Sequence, residues 1–508
     1  MLDITTSTSG PMCDRLSRRD LLRVGTLGLG GLTLAGLMRQ AARANVVGPG
    51  GPGSYLKDRA VVLLFLSGGP SQYETWDPKP DGTDSFTSIA GHIPTALPGV
   101  RFASYFPKMA KLADRLSIVR SFQTNHAEHD GAAKQIMTAD LTVPDGKPIT
   151  KPGLGSVYAR AAGPINERTG MPRHAVIPPT TKYPGATTAG FQGSYEGVVV
   201  GCQPVSLGPS CAPFEVQVPM AGGAAEGKKK RNAPDDGAPG GFVGDLEPRL
   251  PPMRLQDRAD LLKQLDRLDR QIDSSRGLES ADAFRRQAVE LLRGGGVRKA
   301  LDLSLEDPRV LAAYDTEHFK TYNCGEDSKF IRTGPSAGIS LGRQLLMARR
   351  LCEAGAGFVT VVHSNWDFHA RKNIPNMPEG MSVLAPPLDH AVAAFLEDVR
   401  ARGLEDKILL VVTGEFGRTP NLDKNLGRHH WPKICPLLFA GGGLRHGQVI
   451  GRSDKRGGEP DTDPITIDDL HATVLNSVFD LGRLRLDSSL PREVQERAQR
   501  GTPIRELF

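Results

Sequence analysis

Histidine and carboxylate residues gather in a few short segments of this chain, and imidazole beside carboxylate is the donor combination that suits zinc, iron or manganese. The segments are Thr124-Asn125-His126-Ala127-Glu128-His129-Asp130, His363-Ser364-Asn365-Trp366-Asp367-Phe368-His369 and Gly414-Glu415-Phe416-Gly417-Arg418, with His429-His430 in the following loop. Asp367 and His369 are too close in sequence to share a helical face, but in a loop both side chains can turn toward one ion, so a mono- or binuclear centre is chemically reasonable. Taken singly, His363 or His369 reads equally well as a satisfied polar group near a strand end. A further segment, Ser67-Gly68-Gly69-Pro70-Ser71, offers glycine N–H groups to an anion and two hydroxyls, or else makes a tight structural turn. It lacks the Gly-Lys-Ser/Thr of a Walker A loop. Glu74 and Asp77 add carboxylates, although Trp76-Asp77-Pro78-Lys79-Pro80 also reads as a rigid turn.

The elements that must position these groups are short continuous apolar runs at Val61–Leu66, Leu116–Val119, Phe358–Val362, Ile408–Thr413 and Leu437–Ala440, the pattern of strands buried on both faces. Helical periodicity covers Ser340–Ala354 and Leu388–Arg402, each ahead of a strand. Alternating strands and amphipathic helices predict an α/β fold, a largely parallel sheet sandwiched between helices, with strands confined to residues before about 120 and after about 355. In such sheets the functional crevice lies beyond the carboxyl ends of the strands, so segments 240 to 300 residues apart are expected to converge.

The 508 residues are 39% hydrophobic and 24% charged, enough for a large packed core. Net charge is +6, yet residues 1–44 alone hold six Arg against three Asp, and no basic stripe with interleaved aromatics appears; nucleic acid is not an expected partner. Ser17-Arg18-Arg19-Asp20-Leu21-Leu22, a mildly apolar Gly-rich run from Val24 to Met38 and Ala42-Arg43-Ala44 resemble a twin-arginine export signal. The run is shorter than the roughly 20 residues of a membrane span, so no stable span is expected in the mature chain. The expected organisation is a signal over 1–44, a linker over 45–57, an α/β domain over 58–485 with a mobile loop at about 220–244 and a helical insertion at about 254–293, and a tail over 486–508. Export implies a periplasmic or secreted protein, with the twin-arginine machinery as a partner. The spacing of Cys202 and Cys211 across a Gly/Pro-rich loop allows a disulfide there.

LFLSGGPSQYETWDPKP, NHAEHDGAAKQIMTAD, HSNWDFHA, LDHAVAAFLEDVRARGLEDKILLVVTGEFGRTP and GRHHWP together resemble domain-of-unknown-function family 1501, over about residues 58 to 482. That family is grouped with the alkaline phosphatase and sulfatase superfamily. The resemblance implies a metal-centred hydrolase of phosphate or sulfate esters, with zinc, iron, manganese or calcium as the divalent metal. Asp367 and His369 are similar to the superfamily's Asp and His ligands, Glu415 stands where its late Asp does, and His429 or His430 supplies the imidazole that Phe416 lacks. Ser67 replaces the usual first Asp; for the nucleophile, Thr124 lies near the expected helix start, whereas aligning the Met137-Thr138 region puts His129 at that position, so the attacking group is Thr124 or a metal-activated hydroxide. The mechanism so implied has Arg120 or Arg418 clamping non-bridging oxygens, with His126 or His129 as ligand or as acid for the leaving group.

Two function classes therefore stand: an exported hydrolase of small-molecule or carbohydrate esters, and a non-catalytic binding or cell-envelope protein on the same scaffold. Retained metal separates them.

Overall fold

The computed structural model describes residues 55–83, 85–179, 192–218, 295–319, 336–370 and 374–508. The expected signal, nearly all of the linker, the loop at 220–244 and the insertion at 254–293 lie outside them. In the unit spanning Lys57–Phe508, eight strands form one sheet in the order β12-β4-β11-β8-β1-β7-β5-β6. They are β1 (Ala60–Leu66), β4 (Leu116–Val119), β5 (His174–Ile177), β6 (Phe214–Glu215), β7 (Phe358–His363), β8 (Ile408–Thr413), β11 (Leu437–Gly441) and β12 (Gln448–Ile450). Among the described residues two small antiparallel pairs complete the strands, β2 (His92–Pro94) with β3 (Arg101–Ala103) and β9 (Gly417–Arg418) with β10 (His430–Trp431).

All sheet pairings are parallel except those of β11, which runs antiparallel to both β8 and β4. The expected α/β fold is the one found. β1 lies at the centre, with Val61–Leu66 in register with Phe358–His363 of β7 and Ala60–Phe65 with Ile408–Thr413 of β8. All seven of its residues are buried. Successive side chains alternate between faces, so Val62, Leu64 and Leu66 join one core cluster with Leu345, Leu388 and Phe395, while Val61 and Leu63 meet Ile136, Leu154 and Leu470. A strand between two apolar layers has no polar face to show, which is why it reads as an unbroken run.

The first layer is built from α3 (Ser336–Glu353) and α4 (Met377–Ala401), and the second from α1 (His129–Thr138), α2 (Leu154–Ala162) and α5 (Ile467–Val478). Helix α4 begins eleven positions before the Leu388 read from periodicity. Pro386 and Pro387 mask its first turns in sequence, but a capping box between Asn376 and Glu379 starts the helix at Met377, and its interior accommodates both prolines. Strands β5 and β6 correct the expectation that the sheet draws nothing from the middle of the chain. Each is short, so neither gives the long apolar run that marks the central strands.

Residues 486–508, set apart as a tail in sequence, dock on this layer. Arg497 pairs with Asp468 at 2.7 Å and also donates to the Thr138 carbonyl at 3.1 Å, and Leu507 is fully buried. Cys202 and Cys211 are both buried free thiols, not a disulfide, and burial pushes the Cys202 thiol up to about 12. Among the described residues no helix is long and apolar enough to cross a membrane.

Candidate metal centre

β1, β7 and β8 run parallel, and β4 shares their direction because β11 is antiparallel to both β8 and β4. Their carboxyl ends therefore open on one edge, where the loops are stitched by backbone. Ser67 N donates to His363 O at 2.9 Å, and Trp366 N to Ser67 O at 3.1 Å. Gly68 has φ +117°, and a Cβ there would lie 2.6 Å from Trp366 N, so only glycine allows the β1 and β7 loops to touch.

Asp367 is the hub. Its carboxylate is almost fully buried, with Arg418 Nη2 2.7 Å from Oδ1, His430 Nε2 3.3 Å from Oδ1, His369 Nε2 2.9 Å from Oδ2 and His129 Nε2 3.5 Å from Oδ2. Burial alone would raise its pKa, but Arg418 and the three imidazoles outweigh burial and hold it well below the usual carboxylate range. One ligand atom from each of His129, Asp367 and His430 lies within 4.8 Å of the other two. Bonds of about 2.0–2.1 Å to a tetrahedral ion place neighbouring donors roughly 3.3 Å apart, close to the spacings at Asp367.

The tautomers are set from outside the cluster. His129, the first residue of α1, has its Nδ1 2.8 Å from Glu415 Oε1, and His430 has its Nδ1 2.6 Å from the Ala127 carbonyl. With Nδ1–H donated in each ring, an Nε2 that gives up its proton presents a lone pair on the Asp367 side, the arrangement that a metal ligand needs. Burial lowers the pKa of His129, but hydrogen bonds to Asp367 and Glu415 prevail and raise it to about 9. His430 stays lowered, because burial outweighs Asp367.

Phe416 forms the floor, its ring 4.5 Å from that of His430 and 5.2 Å from that of His129. His430 reaches the site because β10 pairs with β9, placing it opposite Arg418. That hairpin loop is fixed by buried Arg428, which donates to the carbonyls of Ser85 at 2.8 Å, Thr87 at 2.9 Å and Thr419 at 3.1 Å. Sequence reasoning passed over Arg428, since a lone arginine carries no pattern.

The other expected residues are placed as follows. Arg418 is fully buried and spends its guanidinium on Asp367 and on the carbonyls of Gly68, Gly69, Trp366 and Arg428, so it joins three loops and leaves no face for a substrate. Arg120 donates to the Trp76 and Arg101 carbonyls and pairs with Asp77 at 3.4 Å. Thr124 donates its hydroxyl to Pro432 O at 3.1 Å. His126 accepts from Glu128 N at 3.0 Å and rests over Gly131 at the start of α1. His429 faces Asp423 at 3.7 Å, its ring 6.3 Å from that of His369. The Gly68 N–H, expected to meet an anion, does so within the protein, donating to Glu415 Oε1 at 2.8 Å. Two polar atoms here are buried without a hydrogen-bond partner, His369 Nδ1 and Glu415 Oε2.

A profile of the family described as "Protein of unknown function (DUF1501)" matches residues 58–484. No curated protein matches the sequence. Among solved structures, the chain is similar to the lipoteichoic acid synthase LtaP from Listeria monocytogenes (8% identity, 84% of this chain and 72% of that one, TM-score 0.38). It is also similar to the sulfatase PsFucS1 from Pseudoalteromonas sp. (11%, 83% and 68%, TM-score 0.37). A third is an alkaline phosphatase from the Antarctic bacterium TAB5 (9%, 83% and 98%, TM-score 0.33).

Proposed function

For this chain, which belongs to the DUF1501 family, we propose an exported, metal-dependent hydrolase of phosphate or sulfate esters. The observation that carries the reading is the meeting of His129 Nε2, Asp367 and His430 Nε2 within 4.8 Å, two imidazoles and a carboxylate drawn from three loops beyond the strand ends. The donor set fits a divalent cation of the zinc, iron or manganese class; calcium, which takes six to eight oxygens, suits it poorly. Beside the trio, His369 Nδ1 is buried without a hydrogen-bond partner.

When bound, the cation supplies Lewis-acid polarisation of an ester oxygen and activates water. The protein's own groups do the rest. Glu415 and the Ala127 carbonyl hold the two imidazole tautomers. Arg418 neutralises Asp367 Oδ1 and holds the carboxylate in place. Phe416, fully buried, packs its ring against both imidazoles and limits their rotation. His369 stands outside the trio, its Nε2 on Asp367 Oδ2, and is the group in this reading that can carry a proton to a leaving oxygen. The Thr124 hydroxyl is tied to Pro432, so water is the attacking group. The arginine pair and leader of Ser17–Leu22 support export and a periplasmic or secreted location.

A second reading, a non-catalytic binding protein, is favoured by one observation: the cluster's groups pair with one another, Asp367 with Arg418 and His129, and Glu415 with His129. Elemental analysis of protein recovered after export decides between them. Stoichiometric zinc, iron or manganese, lost in Asp367→Ala, with turnover of an aryl phosphate or aryl sulfate, supports the hydrolase; folded metal-free protein that takes up no added cation rejects it.

A further inference from the structure

We propose that Glu415 is not a ligand of the centre but the positioning carboxylate of His129, coupling that imidazole to the glycine turn that follows β1. The inference rests on the metal reading above and assigns a residue within it. Glu415 is completely buried, and a single oxygen, Oε1, meets both Gly68 N at 2.8 Å and His129 Nδ1 at 2.8 Å. Nδ1 and Nε2 lie on different sides of an imidazole, and it is Nε2 of His129 that points to Asp367. The ring therefore stands between Glu415 and the space shared by His129, Asp367 and His430, a trio that does not include Glu415.

The arrangement has a physical purpose at each end. A histidine ligand whose second nitrogen donates to a carboxylate is fixed in tautomer and rotation, and its ligating nitrogen becomes more basic. His129 needs such a hold because it is the first residue of its helix, preceded by Glu128, whose side chain makes no capping bond. The hold is itself anchored, since Gly68 N comes from a turn locked by its own left-handed backbone and by contact with the Trp366 and Asp367 backbone. One carboxylate oxygen thus ties the loops after β1, β4 and β8 together, and the position of His129 is inherited from the sheet.

The test uses the full chain, Co(II) as the probe metal, and Glu415→Gln and Glu415→Leu. The amide oxygen of Gln can keep both hydrogen bonds, and Leu can keep neither. As a positioning residue, Glu415→Gln retains the Co(II) band positions and stoichiometry of the parent, while Glu415→Leu binds Co(II) about 10–100-fold more weakly. Band positions that move in Glu415→Gln, the sign of a lost anionic ligand, overturn the proposal. A readout independent of metal separates its failure from failure of the metal reading. In metal-free protein labelled with 15N-histidine, the downfield ring N–H of His129, assigned by its loss in His129→Gln, persists in Glu415→Gln and is abolished in Glu415→Leu. Its survival in folded Glu415→Leu overturns the assignment whether or not cobalt binds; a parent protein that takes up no Co(II) instead removes the centre itself.

Discussion

Two clusters of buried charge, one around Arg349 in the helical layer and one around Asp367 at the strand ends, are built from similar parts and finish differently. Arg349 meets Glu306 at 2.7 Å, Glu353 at 2.6 Å and Asp398 at 2.9 Å, while Arg402 reaches the remaining oxygens of Glu306 and Asp398 at 2.8 and 2.7 Å. Burial works against the charge on Glu306, but Arg350 and Arg349 overcome it and hold its carboxyl down at about 2. Every oxygen of that pair of acids has a guanidinium partner. At Asp367 the partners are mostly imidazoles, groups that can give up a proton and offer a lone pair, and two buried atoms nearby are unpartnered. Both clusters bury charge; one is closed by guanidinium pairs, whereas the other gathers imidazole nitrogens and a carboxylate with the donor chemistry of a metal ligand set.

The largest expected break in that contrast is Asp367→Asn. The amide keeps an oxygen for Arg418 but loses the anionic donor, so metal uptake measured by competition with a chelator falls by more than about 100-fold, beyond the loss typical of an outer-shell change. In the helical cluster, Arg349→Leu removes one guanidinium from Glu306 and Asp398 while Arg350 and Arg402 stay on them, so it costs about 1.5–3 kcal/mol in denaturant unfolding and leaves metal uptake at the parent level. A loss of uptake in Arg349→Leu that matches Asp367→Asn would show that the two clusters are not separate devices.

Acidification sharpens the same comparison. Burial lowers His174 to about 4 and His471 to about 3, so each is neutral when folded and protonated near 6.5 when unfolded. Their contribution is complete above pH 6.5 and lost as pH falls toward 4 and 3, whereas that of Glu306 is complete above 4.5 and lost only toward 2. Urea midpoints are thus expected to fall first in the imidazole window, and His471→Leu flattens part of that fall. Smallest of all, the exposed pair of Arg492 and Glu496 contributes under about 1 kcal/mol, so Arg492→Ala leaves the urea midpoint nearly unchanged.

How much of this was legible varies with the kind of signal. Strands β4 and β8 match their apolar runs end to end, and β1, β7 and β11 extend theirs by one residue, because residues buried on both faces leave an unbroken pattern. The short strands β5 and β6 leave none. In the site, the segments themselves were readable from the histidines after strands, and Asp367, His369 and His430 do meet. His429 and His430 are neighbours in sequence with the same chemistry, yet the β9–β10 pairing turns one to Asp367 and leaves the other facing Asp423. Arg418 reads as a substrate clamp until its five hydrogen bonds are seen to end on Asp367 and four backbone carbonyls.

Sequence by itself determined the layered α/β architecture and the set of loops in which donors are found, because burial pattern and residue type are local properties of the chain. Only the tertiary structure decided which nitrogen of which histidine faces Asp367, that Glu415 lies behind His129, and that Arg418 is consumed within the protein. Those outcomes depend on angles between side chains hundreds of residues apart, fixed by strand register and by a glycine turn, and no spacing along the chain encodes them.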